Sequence, residues 1–355
     1  MQRIISFLFF IITIGLLSAQ NVTISGYIKD STTRETIGKA QIVVTPVKTT
    51  TIPSDTKVSP DFRASTNGYG FYSITIPQGK YTIQIIAPSY PPFAQTITAK
   101  ANEEINFLLI PEVEGVGTVI IRSKRNNNVK SLDISTQSIN GQTIKKIPAF
   151  LGEADVIKSI QLLPGVTTVG EGASGFNVRG GSIDQNLVLM DEAPVFNSAH
   201  LFGFFSIFNP DAVKDVELVK GGIPANYGGR LSSTLDVKSR DGNKRAFQAN
   251  GGIGTIFSRL TLEGPLAKPE SKKLLKPRST PAKSSFMISG RRSYIDVLAK
   301  PFLPDNLAGS QFYFYDLTAK ANYSYKRDNI FISTYIGDDV FKAAGLFGVK
   351  WGNST

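Results

Sequence analysis

The chain has 355 residues, with 39 Lys and Arg against 28 Asp and Glu, a formal charge of +11, one histidine and no cysteine. Without cysteine it has neither disulfides nor thiolate ligands, and with a single histidine it cannot assemble a His/Cys metal site or most versions of a nucleophilic triad. Composition therefore points away from an enzyme and implies no catalytic residue, no metal and no cofactor.

The first residues carry Arg3, an uncharged and mainly apolar run over 4–17, and small residues at Ser18 and Ala19 before Gln20. That order is the signature of a secretory signal peptide, and the run is shorter than the roughly 20 residues a membrane-spanning helix needs. Cleavage after residue 19 and export from the cytoplasm are expected. Beyond it no window reads as a membrane helix, so insertion into a bilayer would have to use strands closed into a barrel.

Residues 20–111 read as short strands at close spacing: 22–28, 40–45, 69–76, 81–86 and 105–110. Asn67-Gly68 marks a turn, and Pro77-Gln78-Gly79-Lys80 links two alternating runs. This pattern predicts a small β-sandwich. The segments GYIKD and STNGYGFYSITIPQGKYTIQI resemble the carboxypeptidase-regulatory-like domain, which implies a seven-stranded transthyretin-like sandwich. Nothing in the segment pairs a nucleophile with a base, so it reads as an accessory module.

Residues 112–130 pass from an acidic start through the β-prone stretch Glu114, Val116, Val119 and Ile120 into a polar tail. Two readings stay open: a plain linker, or an extended peptide that adds to a partner's sheet through main-chain hydrogen bonds.

Residues 131–242 are the densest in motifs. Residues 154–163 place apolar side chains at helical spacing and stop at Pro164-Gly165. A strand is expected at 186–190, ending on Asp191, and a second helical segment near Asn209-Pro210-Asp211, where Pro and Asp sit as helix-start residues. The glycine pairs Gly180-Gly181, Gly221-Gly222 and Gly228-Gly229 adjoin strands, where a positive φ or a close backbone approach excludes a Cβ. None has Walker A or dinucleotide-fingerprint spacing, so phosphate binding is not expected. His200, in the apolar aromatic run 199–205, reads as a packed or hydrogen-bonded residue ahead of a ligand or a base.

In order, LLPGV, FNVRGG, NLVLMDEAPVFN and DAVKDVELVKGGIPANYGGRLSSTLDV closely resemble the plug domain of TonB-dependent outer-membrane receptors. The resemblance implies that Arg179 and Arg230 face barrel-wall carboxylates that hold the plug in the lumen. Gly180, Gly181, Asp191, Gly221, Gly222, Tyr227, Gly228 and Gly229 then belong to the plug motifs, with Asp191 and Glu217 as candidate partners inside the domain. Of the two readings of residues 112–130, the partner-binding one makes Glu114, Val116, Val119 and Ile120 the segment that the periplasmic TonB protein would engage, and the plain linker stays the alternative.

In residues 243–355 the pattern changes again. Tyr313, Tyr315, Leu317, Ala319, Ala321, Tyr323 and Tyr325 alternate with Phe314, Asp316, Thr318, Lys320, Asn322, Ser324 and Lys326. An apolar face with tyrosines at both ends suits a lipid-facing band between aromatic girdles, which leaves the even-numbered face for a wet lumen. Weaker strands are expected at 247–253, 256–264, 285–294 and 330–337, with 297–306 and the basic stretch 268–283 as connections. The latter has no aromatic residue for base stacking and reads as a solvated loop, not a nucleic-acid site. RLTLEGPL and SSFMISGRRSYID resemble the first barrel strands of the same receptors.

The expected fold is mainly β with a small α+β domain: sandwich, plug, and the first few antiparallel strands of a transmembrane β-barrel. Receptors of this kind use about 22 strands, whereas residues 243–355 supply roughly five at ordinary strand lengths. The chain is thus expected to be an N-terminal fragment. The resemblance implies solute uptake across the outer membrane, with membrane lipid, TonB, an unidentified solute and a surface lipoprotein as partners. The alternative from another class is a soluble periplasmic interaction module built from sandwich and plug.

Overall fold

A computed structural model describes residues 21–47, 61–88, 90–111, 135–147, 153–168, 170, 175–254, 256–267, 282–307, 309–325 and 328–355. The expected signal peptide, the segment with Glu114, Val116, Val119 and Ile120, and residues 268–281 of the basic stretch lie outside the described residues. The chain divides into two units, Met1–Ser31 with Thr36–Gly117, and Thr32–Glu35 with Thr118–Thr355.

The first unit contains β1 (Asn21–Asp30), β2 (Gln41–Pro46), β3 (Phe62–Ser65), β4 (Phe71–Pro77), β5 (Gly79–Ile86), β6 (Phe93–Ala99), β7 (Glu103–Glu104) and β8 (Phe107–Leu109). One sheet has the order β4-β1-β7 with β8 also on β1, and the other β3-β2-β5-β6. Period-two alternation aims Ile24, Ile28, Ile42, Val44, Ile76, Ile83 and Ile85 into one core. Each such side chain contributes roughly 1.5–3 kcal/mol of burial, so the unit has a core of its own. β7 and β8 both run parallel to β1 and form one interrupted edge strand, which makes the sandwich seven-stranded. The strand expected at 105–110 breaks because Gly26 lets the Ile105 carbonyl sit where a Cβ would meet it at 2.0 Å. There the carbonyl accepts the Tyr72 hydroxyl at 2.8 Å.

The second unit opens with a small α+β module. It comprises β9 (Thr136–Asn140), α1 (Gly141–Lys146), α2 (Val156–Gln161), β10 (Val166–Thr168), β11 (Phe176–Val178), β12 (Asn186–Met190), β13 (Ala193–Pro194), β14 (Ala199–His200), β15 (Phe205–Ser206), β16 (Val213–Val219) and β17 (Ser233–Ser239). The main sheet has the order β13-β12-β17-β16-β9, with β12 and β17 parallel. The helix expected at 154–163 is α2. Asp155 caps it by accepting the Lys158 amide at 3.0 Å. Ile157 and Ile160 pack with Val188, Val216, Leu235 and Val237 in the module's core.

No helix forms after Asn209. Residues 209–213 make a single turn, in which the Asn209 carbonyl accepts the Ala212 and Val213 amides, and the chain enters β16 directly. Proline and aspartate started a turn, but Val213, Val216 and Val219 are β-branched and pair with β17 and β9, so sheet packing overrides the helix-start signal.

The unit closes with an antiparallel sheet in simple sequential order, β18 (Gln248–Ile253), β19 (Phe257–Pro265), β20 (Ser284–Ser293), β21 (Gln311–Tyr325), β22 (Asp328–Ala343) and β23 (Phe347–Ser354). A short helix α3 (Ile295–Ala299) lies in the β20–β21 connection. β22 runs beyond the expected 330–337, and β23 was not anticipated. At 15 and 16 residues, β21 and β22 exceed the 9–11 a tilted strand needs to cross a bilayer.

Candidate functional site

The sheet is inverted relative to that of a water-soluble protein. Register aligns Leu260, Gly290, Leu317 and Ile336 in one row, and Leu262, Ile288, Ala319 and Thr334 in the next, all on the outer face. Ile332 on that face is 74% exposed and Ile336 47%. On the inner face Thr261, Glu263, Ser289, Arg291, Asp316, Thr318, Lys320, Asn322 and Asp339 are buried. What buries them is the α+β module. The expectation that the even-numbered face of β21 meets water is therefore corrected: Thr318 is 1% exposed, and Lys320 is accommodated by ion pairing, not by solvent.

Charged and polar side chains tie module to sheet along two zones. In the first, Lys320 Nζ lies 3.2 Å from Asp191 and 3.1 Å from Asp241, and donates to the Ser239 carbonyl at 3.0 Å. Lys214 approaches Asp241 from within the module at 3.3 Å. Burial pushes the Asp241 carboxyl up, but Lys214, Lys320 and Lys244 outweigh it and hold the group well below the usual carboxylate range. Close by, Arg240 grips Glu263 of β19 with two bonds of 2.8 Å, and Ser285 donates to the Asp241 carbonyl at 2.6 Å.

The second zone sits roughly 13 Å along β21 at the rise of a strand. Arg291 of β20 donates to Asp316 of β21 at 2.6 Å, to Glu153 at 3.0 Å and to the Ser206 carbonyl at 2.8 Å. Arg259 of β19 lies 2.7 Å from Asp211. His200 enters between β21 and β22, with Nδ1 2.8 Å from Asp339 and Nε2 3.3 Å from Asp316.

The energetics of such pairs set what the seam can do. Removing two charges from water costs nearly what their attraction returns, so a buried pair adds little net stability, whereas breaking one costs about 3–5 kcal/mol. The seam therefore fixes where the module sits more than how stable it is. Among the described residues no group of His, Asp or Glu could hold a metal ion.

Residues 128–233 match the family model described as TonB-dependent Receptor Plug Domain. The chain carries a TonB-dependent receptor plug. No curated protein matches the chain. Among solved structures, a mutant of the ferric enterobactin receptor PfeA from Pseudomonas aeruginosa is 14% identical, with a TM-score of 0.38, over 59% of this chain and 33% of that one. The siderophore receptor PirA from Acinetobacter baumannii is 14% identical, with a TM-score of 0.40, over 60% of this chain and 32% of that one. PirA from Pseudomonas aeruginosa is 16% identical, with a TM-score of 0.39, over 59% and 34%. The chain thus spans about a third of the length of these structures.

The motif residues of the plug fall in two places. Asp191 and Glu192 form the two-residue loop of the β12–β13 hairpin, both at positive φ (47° and 72°), as a type I′ turn requires. Asp191 is held there by the Ser239 amide at 3.0 Å, the Ser239 hydroxyl and Lys320. Tyr227 donates to Asp236 at 3.1 Å, and Glu217 stands opposite Asp236 in the register of β16 and β17. Gly180, Gly222 and Gly229 have positive φ, Gly181 backs onto Ser232, Gly221 onto Arg179, and Gly228 faces open space.

Arg179 and Arg230 lie elsewhere. Arg179 is exposed and donates to Ser135 at 3.1 Å. Arg230, also exposed, donates to the Gly229 carbonyl and lines a cleft of about 540 Å³ with Asn177, Asp184 and Phe196. Among the described residues neither arginine forms an ion pair with a carboxylate, Asp191 and Glu217 included. The pairs that do cross from plug to sheet, Lys320, Arg291, Arg240 and Arg259 with their carboxylates, were not singled out from sequence. Their signal was available: a charge on the face of a strand opposite an apolar band needs a buried partner.

Proposed function

We propose that this chain forms part of a TonB-dependent outer-membrane receptor that takes up a solute, with β18–β23 as a segment of the transmembrane wall and the plug seated in its lumen. The inverted sheet carries this reading: apolar side chains outside and a polar inner face covered by the plug suit a surface whose outer solvent is hydrocarbon. The receptor makes and breaks no bond, consistent with a seam of structural ion pairs. In this proposal residues 1–19 direct export, 20–111 form a periplasmic accessory sandwich, 131–242 the plug and 243–355 the wall segment, within a longer barrel.

Residues 112–130, with Glu114, Val116, Val119 and Ile120, are the proposed point at which TonB pulls. Arg179 and Arg230, exposed and without a carboxylate among the described residues, are proposed to meet acidic residues on further strands of the barrel. Outer-membrane lipid, TonB, a solute and a surface lipoprotein complete the proposed partners.

Envelope fractionation of the protein expressed with its own N-terminus and with the further strands that close the barrel tests the placement. Recovery in the outer-membrane fraction, resistant to alkaline carbonate, is expected. Recovery in the soluble periplasm would overturn the proposal in favour of a soluble interaction module.

A further inference from the structure

The single histidine of the chain is placed where a proton has mechanical consequences. His200 is 2% exposed, on β14 of the plug, and the side chains its ring nitrogens meet among the described residues, Asp316, Asp339 and Tyr335, belong to the sheet. Nδ1 lies 2.8 Å from Asp339 Oδ2, and Nε2 lies 3.3 Å from Asp316 Oδ2 and 3.2 Å from the Tyr335 hydroxyl. The ring stacks on Phe314 at 4.4 Å with an interplanar angle of 11°. The other charges nearby are Arg291 of β20, which shares Asp316, and Glu153 of the plug, which pairs with Arg291.

A neutral imidazole has one N–H to offer, whereas the imidazolium has two, one for each carboxylate. The site is thus complementary to the protonated form. Next along the chain, Leu201 and Phe202 adopt positive φ of 48° and 58°, a costly conformation for non-glycine residues. The Leu201 amide is held by the second oxygen of Asp339 at 2.8 Å, so one carboxylate clamps both the ring and the strained turn. Phe202, 67% exposed, then packs on Phe341 and Trp351, the only tryptophan in the chain.

We propose that His200 is a proton-dependent latch: the protonated imidazole fastens plug segment 199–206 to β21 and β22, and loss of that proton releases the segment. The latch stands on contacts between plug and sheet and does not depend on what the receptor carries. Burial disfavours the charged ring, but Asp316 and Asp339 outweigh it and raise the imidazole above its ordinary value of 6.5. A group raised in the latched state stabilises that state fully below its value in the open state and loses the contribution as pH rises through the latched value.

The test uses the whole chain, folded in detergent micelles, with two readouts over a neutral-to-alkaline series. The first is the ¹⁵N imidazole resonance, unambiguous because there is one histidine. The second is hydrogen-exchange protection of the Leu201 amide, corrected for the intrinsic exchange rate. The imidazole is expected to keep its proton above 6.5, and protection to fall about tenfold per pH unit between the open and latched values. His200→Gln is expected to show lower protection with no such slope. Titration of the imidazole at or below its ordinary value overturns the proposal, as does a protection factor independent of pH. The wild-type titration decides even where the variant fails to fold.

Discussion

Lys320 Nζ, on the inner face of β21, lies 3.2 Å from Asp191 Oδ1 at the tip of the β12–β13 hairpin. The lysine belongs to the sheet and the aspartate to the plug, and both side chains are buried. Asp241, at the end of the plug, completes the ammonium's carboxylate pair. Lys320→Met should leave Asp191 without its cation and Asp241 with Lys214 as its remaining ion-pair partner, and cost about 3–5 kcal/mol in chemical denaturation. Adding Asp191→Asn should recover part of that loss, because one buried charge is removed with its partner. Equal stability of Lys320→Met and wild type would mean that the seam is solvated.

Neighbouring residues on β21 should respond to charge for different reasons. Thr318 is buried against the plug with no hydrogen-bond partner for its hydroxyl among the described residues, so a longer, charged side chain has no room there without moving the plug. Thr318→Lys should therefore unseat the plug, seen as new proteolytic cleavage within residues 135–239. Ala319→Lys places its charge on the outer face and should cost roughly 2–4 kcal/mol in refolding into lipid vesicles. A harmless Thr318→Lys would place water, not the plug, on the inner face.

Gly337 makes the His200 contact possible. A Cβ there would meet the Tyr335 hydroxyl at 2.3 Å and His200 Cε1 at 3.3 Å. Gly337→Ala should displace the imidazole while β22 continues to pair with β21. The check is the ¹⁵N imidazole titration, which should move toward that of an exposed histidine. An unchanged titration would show that the ring is positioned by Asp339 alone.

On the acid side, stability should follow Asp241. Its carboxyl is held below the ordinary 3.8, so its contribution is fully present above that value and lost only as pH falls through the lower folded value. The urea midpoint of the wild type should hold as pH falls into mild acid. Asp241→Asn should lower the midpoint throughout and flatten that dependence. A wild-type midpoint already falling well above 3.8 would contradict the pairing.

The sandwich and the outer face of β21 were legible because both follow a strict period of two in the residues themselves. Tyr315, Leu317, Tyr323 and Tyr325 are all exposed, as that alternation requires. The turn at Asn209 was misread because its helix-start residues are local, whereas β16 is decided by pairing with β9 and β17, far away in the chain. The seam was invisible for the same reason: Arg291 reaches Glu153 across 138 positions of sequence and Lys320 reaches Asp191 across 129. The plug motif drew attention to Arg179 and Arg230, which among the described residues pair with no carboxylate. His200 was read as packed or hydrogen-bonded, but its partners on β21 and β22 could not be read from its neighbours.

On the proposed placement the sheet has lipid on one side and the plug on the other. Because the chain has no cysteine, a single introduced cysteine carries an environment-sensitive fluorophore at one known site. Ala319→Cys and Ile332→Cys place it on the outer face, and Ser333→Cys, opposite Lys320 in the register, on the inner one. In phospholipid vesicles, nitroxide-labelled acyl chains should quench the probe at 319 and 332 and leave 333 unquenched. Equal quenching on both faces, or none at 319 and 332, would contradict a membrane wall lined by its plug.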